Sequence, residues 1–227
     1  MTRIRVALVD DHRVVTRSLK AYLESFPDMQ IVGIATSVEE LLAHLDGWAP
    51  DVILQDLLIP GGIDGIETTR RVVERGVAAR VVALTASMDE ARMMGVLRAG
   101  AAGYVRKDAE PETLLAAVRA VAAGRTYIDP AVSRELVSSR LPKRNGVGKP
   151  ATQDREELTA RELDVLRHMV LGRSNREIAA ELDIGDETVK THVAKVLSKL
   201  QVENRAQAIV QALKQGRVTL EELDEAP

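Results

Sequence analysis

Acidic side chains occur where apolar runs of this 227-residue sequence end. Asp10 and Asp11 follow one short aliphatic run, and Asp56 closes another, a few residues before a Pro and two Gly. Apolar runs with such endings are typical of buried strands that stop at a turn. Carboxylates at adjacent strand ends repel one another, and a hard divalent cation with oxygen ligands offsets this repulsion. The sequence therefore predicts a metal site that includes Asp56.

The same residues suit phosphoryl transfer. A carboxylate such as that of Asp56 can act as a nucleophile and become an aspartyl phosphate. The reaction then needs positioning, and neutralisation of the charge on the equatorial phosphoryl oxygens. Thr85 and Lys107, which follow two further apolar runs, offer a hydroxyl and an ammonium for two of these oxygens. A metal would contact another, and Mg²⁺ is predicted because it keeps phosphate oxygens and water among its ligands.

Each of these residues has a simpler interpretation when taken alone. Asp11 can cap a helix, Thr85 can end a strand, and Lys107 can be a solvated surface charge. The combination of an acid pair, a further acid, a Thr and a Lys at strand ends favours a shared site. Asp64, which precedes a Gly and a helical pattern, is predicted to be only a helix cap.

The elements predicted around these residues alternate between strand and helix. Five β-rich apolar runs end near residues 9, 35, 55, 84 and 105, and a segment with helical spacing or helix-start signals follows each. Such a βα alternation predicts a parallel sheet with helices on both faces. The carboxyl ends of its strands, where ligands bind in such sheets, would bring the acids, Thr85 and Lys107 together.

The character of the sequence changes after residue 124. A short helix is expected over 129–141, and residues 142–151 are rich in Gly, Pro and charge, which predicts a flexible linker. No strand pattern follows residue 158, and capping boxes at Thr159 and Ser174 open two of four short helices. Helix, turn and helix is a DNA-binding arrangement. Periodicity alone leaves open a helical dimerisation or docking module.

Composition excludes several classes of protein. The chain has no Cys, which excludes disulfides, thiolate zinc sites and Cys nucleophiles. Its net charge of -3 argues neither for nor against a nucleic-acid partner. The first residues do not form a signal peptide, and no apolar run is long enough to cross a bilayer. We therefore expect a cytoplasmic protein with no membrane partner.

The first half resembles the receiver domain of bacterial two-component response regulators. The motifs that carry the resemblance are Asp10-Asp11, Asp56-Leu-Leu-Ile-Pro-Gly-Gly-Ile-Asp-Gly65, Leu84-Thr85-Ala86 and Gly103-Tyr-Val-Arg-Lys107-Asp108. The resemblance covers residues 1 to about 124 and implies a doubly wound, five-stranded α/β fold of the flavodoxin/CheY type. It also implies that a sensor histidine kinase transfers phosphate from its phosphohistidine to Asp56.

The resemblance further assigns roles inside the pocket. It implies that Mg²⁺, or another divalent cation such as Mn²⁺, is bound by Asp11, Asp56 and the backbone carbonyl of Leu58, with Asp10 in support. Thr85 and Tyr104 would be a switch pair, in which Thr85 moves to the phosphate and Tyr104 turns inward behind it, while Lys107 contacts the phosphoryl group.

Residues 155 to about 215 resemble the LuxR-type helix-turn-helix domain of NarL/FixJ regulators. The motifs are Leu158-Thr-Ala-Arg-Glu162, Gly172-Arg-Ser-Asn-Arg-Glu-Ile-Ala179 and Thr188-Val-Lys-Thr-His-Val193. The resemblance implies base contacts from Lys190, Thr191 and Ala194. It implies phosphate contacts from Asn175, Thr188, Lys195 and Lys199. It implies a dimer contact through the last helix, at Val202, Ala206 and Ile209.

Three positions depart from the pattern of these families. The loop with Gly61, Gly62 and Ile63 is one residue longer than usual, which alters the edge of the pocket. Gln55 stands where an apolar residue is more usual, and Gly185 stands where Ser is common at the start of the recognition helix. None of these changes removes a reactive group.

We therefore expect a receiver domain over 1–124, a linker helix and flexible linker over 125–154, and a DNA-binding domain over 155–227. Together they predict a transcriptional regulator that is phosphorylated on Asp56, binds double-stranded DNA half-sites as a homodimer and is not an enzyme. Two alternatives stay open: a phosphohydrolase that uses Asp56 as covalent nucleophile, and a receiver that serves as a constitutive interaction module. Turnover of phosphate esters without a protein donor would indicate the phosphohydrolase. DNA affinity that does not change with a phosphodonor would indicate the constitutive interaction module.

Overall fold

The computed structural model describes residues 3–59, 64–86, 89–138 and 157–217. The chain forms two compact units, Met1–Asp129 and Pro130–Pro227. The linker expected over 142–151 and the long loop at 61–63 lie outside the described residues. No helix within the described ranges is long and apolar enough to cross a membrane.

The first unit alternates strands with helices, as the sequence predicts. Its strands are β1 (Ile4–Val9), β2 (Met29–Ala35), β3 (Val52–Asp56), β4 (Arg80–Thr85), β5 (Gly103–Arg106) and β6 (Tyr127–Ile128). Its helices are α1 (Arg13–Glu24), α2 (Val38–Trp48), α3 (Gly65–Glu74), α4 (Glu90–Arg98) and α5 (Pro111–Ala122). Neighbouring strands are parallel, in the order β2-β1-β3-β4-β5-β6. The predicted parallel α/β sheet is confirmed.

The sheet has six strands, so the prediction of five was wrong by one edge strand. β6 pairs Tyr127 with Gly103 and Ile128 with Tyr104. It has only two residues, which is too short to produce an alternation of apolar and polar residues. This strand carries the first unit beyond residue 124, where the sequence placed the end of the domain.

Side chains of successive strand residues pack into two separate apolar clusters, one on each face of the sheet. Along β3, Val52 and Leu54 belong to one cluster and Ile53 to the other. Every residue of β3 is buried, which is expected of a parallel sheet covered on both faces. The burial pattern fixes the strand register, because a slip of one residue would exchange the two faces.

A side-chain cap or a Pro begins several helices of the first unit. The Asp64 carboxylate accepts a hydrogen bond from Glu67 N at 2.8 Å, which confirms its predicted role as the cap of α3. Pro111 occupies the first turn of α5. Ser37 accepts from Glu40 N, but the Glu40 carboxylate accepts from Thr36. Ser37 therefore caps α2, while the Glu40 carboxylate is held by the residue before the cap.

The second unit is entirely helical among its described residues. Its helices are α6 (Pro130–Ser138), α7 (Ala160–Val170), α8 (Asn175–Glu181), α9 (Asp186–Leu200) and α10 (Arg205–Gln215). Both predicted capping boxes are present, at Thr159 and at Ser174. Helix α9 packs on α7 and α8, and α10 packs on α6, α7 and α9. The four-helix domain predicted from residue 155 onward is confirmed, and α6 packs against its last helix.

A buried ion pair joins α7 to α9. Lys199 Nζ donates to Glu162 Oε2 at 2.9 Å and to the carbonyl of Glu157 at 3.0 Å. The side chains of Glu162 and Lys199 are 4% and 17% exposed. The hydrogen bond from Lys199 holds the pKa of Glu162 below its ordinary value of 4.5. Removing one partner would leave the other charge buried without compensation.

We predict that Lys199→Met lowers the free energy of unfolding by about 3 kcal/mol, because Glu162 is then an unpaired buried charge. A lowered folded-state pKa contributes stability above the unfolded-state pKa and loses it as pH falls. The wild type should therefore lose this contribution below about pH 4, and Lys199→Met should not. Urea unfolding at neutral and acidic pH measures both effects. Equal pH dependence in the two proteins would contradict the assignment.

Candidate functional site

The carboxyl ends of four parallel strands bring the predicted pocket residues together. Asp56 is the last residue of β3 and Thr85 the last residue of β4, Asp10 follows β1, and Lys107 follows β5. Asp10 is 2% exposed, Asp56 is 1% exposed, and Thr85 is fully buried. The structure therefore places at one end of the sheet the residues that the sequence predicted to meet there.

Lys107 bridges two buried carboxylates. Its Nζ lies 2.7 Å from Asp10 Oδ2 and 2.8 Å from Asp56 Oδ2. Desolvation lowers the pKa of Lys107, but the hydrogen bonds and charges of Asp10 and Asp56 outweigh it, so the pKa lies above its ordinary value of 10.5. The ammonium is therefore fixed beside the Asp56 carboxylate, and it remains charged at neutral pH.

Backbone groups hold the other carboxylate oxygens. Asp56 Oδ1 accepts from Leu58 N at 3.1 Å, and Asp10 Oδ1 accepts from His12 N at 2.8 Å. Both oxygens of Asp10 are thus engaged, one by His12 and one by Lys107, which fits a supporting role. The side chain of Asp11 is 32% exposed and open to solvent. The predicted role of the Leu58 carbonyl stays a prediction.

Four side chains offer ligand atoms that lie within 4.8 Å of one another: Asp10, Asp11, His12 and Asp56. Carboxylate oxygens in this arrangement fit a divalent cation such as Mg²⁺, because the single ammonium of Lys107 does not balance three acids. Sequence reasoning missed His12. Its position in the sequence could have identified it, because His12 directly follows Asp10 and Asp11 after the end of β1.

The predicted switch pair lies behind the pocket. Tyr104, on β5, is fully buried. Burial raises the pKa of its hydroxyl, and a side-chain interaction with Thr85 opposes part of that rise. Thr85 and the inward-facing Tyr104 are therefore neighbours here, on the adjacent strands β4 and β5.

Gln55 lies directly behind the proposed phosphoacceptor. Its side chain is fully buried, and Nε2 donates to the backbone carbonyl of Asp56 at 2.7 Å. Because a Gln stands here in place of an apolar residue, the backbone carbonyl of Asp56 accepts a side-chain hydrogen bond.

The predicted DNA contacts fall into two groups. On α9, one set of side chains is exposed while Val189, Val196 and Leu200 are buried. The exposed set is Thr188, Lys190, Thr191, Ala194 and Lys195. Lys190 Nζ lies 2.6 Å from Glu187 and 3.2 Å from Asp186, so neighbouring acids offset its charge.

The other two predicted phosphate contacts are engaged inside the domain. Lys199 holds Glu162, as described above, and the Asn175 side-chain oxygen accepts from Arg205 Nη1 at 3.0 Å. Arg205 also donates to the carbonyl of Arg173. Burial lowers the pKa of Arg205 to about 10. Sequence reasoning missed this partly buried Arg, because no pattern at the start of α10 distinguishes it from a surface residue.

The residues predicted to form a dimer contact have little free surface. Ala206 is 2% and Ile209 is 3% exposed, and Val202 is partly buried. Ala206 and Ile209 lie on α10, which packs on α6, α7 and α9, and Val202 lies in the segment before it. Their role between two chains stays a prediction.

Comparison with known proteins agrees with both units. Residues 6–119 match the family model described as the response regulator receiver domain. Residues 156–212 match that of the bacterial regulatory proteins of the luxR family. The chain is a two-component response regulator. Because it carries a LuxR-type DNA-binding domain, it is a transcriptional regulator rather than a classical enzyme.

Similar response regulators share nearly the full length of the chain. LiaR of Bacillus subtilis is 37% identical over 209 residues, which cover 92% of this chain and 96% of that protein. The nitrate/nitrite regulator NarL of Escherichia coli is 35% identical, with 90% and 93% covered. The crystal structure of ChrA, a response regulator from a heme-sensing two-component system, superposes on this chain with a TM-score of 0.52. The two sequences are 36% identical, and the match covers 96% of this chain and all of the ChrA chain.

We predict that Lys107→Met lowers the unfolding free energy of this response regulator by about 3 kcal/mol in metal-free buffer, because two buried carboxylates lose their shared cation. Adding Asp56→Asn should restore part of the loss, since only one unpaired acid then remains. Urea unfolding of both single variants and the double variant gives the coupling.

Lys20→Met is the matched control, because Lys20 forms an exposed pair with Glu24 at 3.3 Å. We expect it to cost less than about 1 kcal/mol. Additive effects of Lys107→Met and Asp56→Asn would show that the two side chains do not depend on each other.

Proposed function

We propose that a sensor histidine kinase phosphorylates this response regulator on Asp56 and that phosphorylation favours a DNA-binding homodimer. The observation that carries the proposal is the Lys107 ammonium, fixed 2.8 Å from the buried Asp56 carboxylate and beside Asp10 and Asp11. A carboxylate held so close to a cation and a metal-compatible acid pair is arranged to accept an anionic group.

In the proposed reaction, a carboxylate oxygen of Asp56 attacks the phosphorus of a phosphohistidine. The new oxygen–phosphorus bond forms as the nitrogen–phosphorus bond breaks, and the imidazole leaves with the electron pair of that bond. Lys107 then contacts a phosphoryl oxygen while keeping its bond to Asp10, and the Thr85 hydroxyl donates to a second. When bound by Asp11, Asp56 and the Leu58 carbonyl, Mg²⁺ or Mn²⁺ supplies charge neutralisation on the phosphoryl group.

The response would begin at Thr85. Its hydroxyl lies near that of Tyr104, so a move of Thr85 toward the phosphoryl group would change the surroundings of the tyrosine. Tyr104 lies on β5, which pairs with the edge strand β6 just before the second unit begins. We propose that this rearrangement promotes dimers, which bind two half-sites about one DNA turn apart.

On DNA, α9 would act as the recognition helix. Lys190, Thr191 and Ala194 would face base edges, and Thr188 and Lys195 would contact phosphates. Asp186 and Glu187, which hold Lys190 in the free protein, disfavour phosphate, so a single copy should bind weakly. We assign Asn175 and Lys199 first to the stability of the domain, because their side chains already bond within it. Since DNA is the target, we place the protein in the cytoplasm.

We predict that a small phosphodonor with Mg²⁺ adds one phosphoryl group to the wild type and none to Asp56→Asn. Lys107→Gln should slow the reaction by roughly a hundredfold, because it removes charge stabilisation from the transferred group. Intact-protein mass spectrometry over time measures both. Sizing and gel-shift measurements on the same samples should show dimers and tighter DNA binding only where Asp56 is modified. Phosphorylation of Asp56 without dimer formation and without tighter DNA binding would contradict the proposed activation.

We also predict different effects from two α9 substitutions. Lys195→Ala should weaken binding to all DNA sequences and reduce the slope of log affinity against log salt by about one, because a phosphate contact is lost. Thr191→Ala should instead reduce discrimination between sequences. Lys20→Ala, in the receiver unit, removes the same charge as Lys195→Ala and should change neither property. Equal salt slopes for Lys195→Ala and wild type would show that Lys195 does not contact a DNA phosphate.

A further inference from the structure

Arg205 begins α10 and reaches the residues that begin α8. Its Nη1 donates to Asn175 Oδ1 at 3.0 Å, and its Nη2 donates to the backbone carbonyl of Arg173. Arg205 and Asn175 are 30 residues apart in the sequence. The guanidinium therefore joins the last helix of the domain to the start of the first helix of the helix-turn-helix pair.

Both hydrogen-bond partners of Arg205 are neutral. Among the described residues, no carboxylate forms an ion pair with Arg205, and its buried Nε makes no hydrogen bond within the protein. Burial lowers the pKa of Arg205 to about 10, and the charge of Glu177 opposes part of this lowering. The guanidinium is therefore still charged at neutral pH.

Two other partly buried cations of the chain show the contrast. Lys107 lies against two carboxylates, and Lys199 lies against that of Glu162. A charge that leaves water is ordinarily paired with an opposite charge, because the lost solvation is otherwise not offset. Arg205 has only a neutral amide and a carbonyl at hydrogen-bond distance, so it can still attract an anion that approaches the domain.

Arg205 also decides which way the Asn175 amide faces. A guanidinium has five donors and no acceptor, so only the oxygen of the amide can face it. The amide nitrogen, with its two N–H donors, therefore points away from Arg205. Asn175 is the first residue of α8, and in a helix-turn-helix the first helix crosses the DNA backbone. Two N–H donors next to an unpaired positive charge suit a phosphate oxygen.

We propose that Arg205 is a positioning residue of the DNA interface, which turns the amide nitrogen of Asn175 toward a DNA phosphate and attracts the same phosphate through its own charge. The inference rests on the proposed function, because it assumes that α8 and α9 dock on DNA. It adds Arg205 to that interface, and it leaves Asn175 able to serve both the domain and the DNA. Phosphates are common to all sequences, so the effect is independent of base sequence.

The test measures binding of the full-length chain to a labelled DNA duplex of arbitrary sequence, with and without a phosphodonor, over a range of salt concentrations. Arg205→Gln should weaken binding by about tenfold, because hydrogen bonding to a charged group is lost. It should also reduce the slope of log affinity against log salt by up to about one, because a positive charge leaves the interface. Arg205→Lys keeps the charge, so it should keep most of the slope.

Asn175→Asp separates positioning from stability, and it decides the question even if Arg205→Gln does not fold. The new carboxylate can still accept from Arg205 and pairs with its charge, so the variant should resist urea at least as well as the wild type. The same change removes both amide donors and neutralises the guanidinium. DNA binding should therefore weaken by about tenfold or more.

Arg161→Gln is the matched control. Arg161 also lies in the second unit, is partly buried and donates to a backbone carbonyl, that of Leu182, at 2.8 Å. Its replacement removes the same charge without touching Asn175. We expect it to change DNA affinity by less than about twofold.

Two results would overturn the inference and leave the proposed function intact. One is Asn175→Asp binding DNA as tightly as the wild type. The other is Arg205→Gln losing stability while it keeps the affinity and the salt slope of the wild type, which would show that Arg205 serves only the fold of the domain. A wild type that bound no duplex DNA under any of these conditions would contradict the proposed function as well.

Discussion

The receiver pocket depends on one ammonium held between two buried carboxylates. Asp10 and Asp56 are nearly inaccessible to solvent, and Lys107 lies within hydrogen-bond distance of both. Two desolvated negative charges are tolerated there only with a compensating cation. In the phosphorylation that we propose, a phosphoryl group on Asp56 would add negative charge and would have to share the same ammonium. The lysine that stabilises the resting pocket would then also be the group that the phosphoryl group contacts.

The sheet decides which side chains can reach that ammonium. Alternate residues of β3 point to opposite faces, so Ile53 and Gln55 share one face while Asp56 lies toward the other. Both faces are packed, which fixes the register of the strand against β1 and β4. Gln55 then donates to the carbonyl of Asp56 from behind. The position of Asp56 therefore depends on the apolar packing of the sheet as well as on interactions within the pocket.

Sequence reasoning found the pocket because strand ends are visible in a sequence. Asp10, Asp56, Thr85 and Lys107 each follow an apolar run, and parallel strands bring such positions together. It missed β6, whose two residues carry no periodicity. The resemblance implied a phosphate contact for Lys199, and nothing in the sequence indicated its ion pair with Glu162, because Glu162 lies on another helix. Contacts between distant segments, such as those of Arg205 with Asn175, leave no local pattern to read.

Helix α6 belongs to the second unit, although it follows the last strand of the first. Only Asp129 separates it from β6, yet it packs on α10 within the second unit. Its Val132 and Leu136 are buried. A gene fusion that joined a foreign receiver directly to residue 157 would remove α6. The apolar surface of α10 that α6 covers would then be exposed. Inheritance of the DNA-binding domain therefore works best when the exchange point lies ahead of Pro130, with α6 carried along.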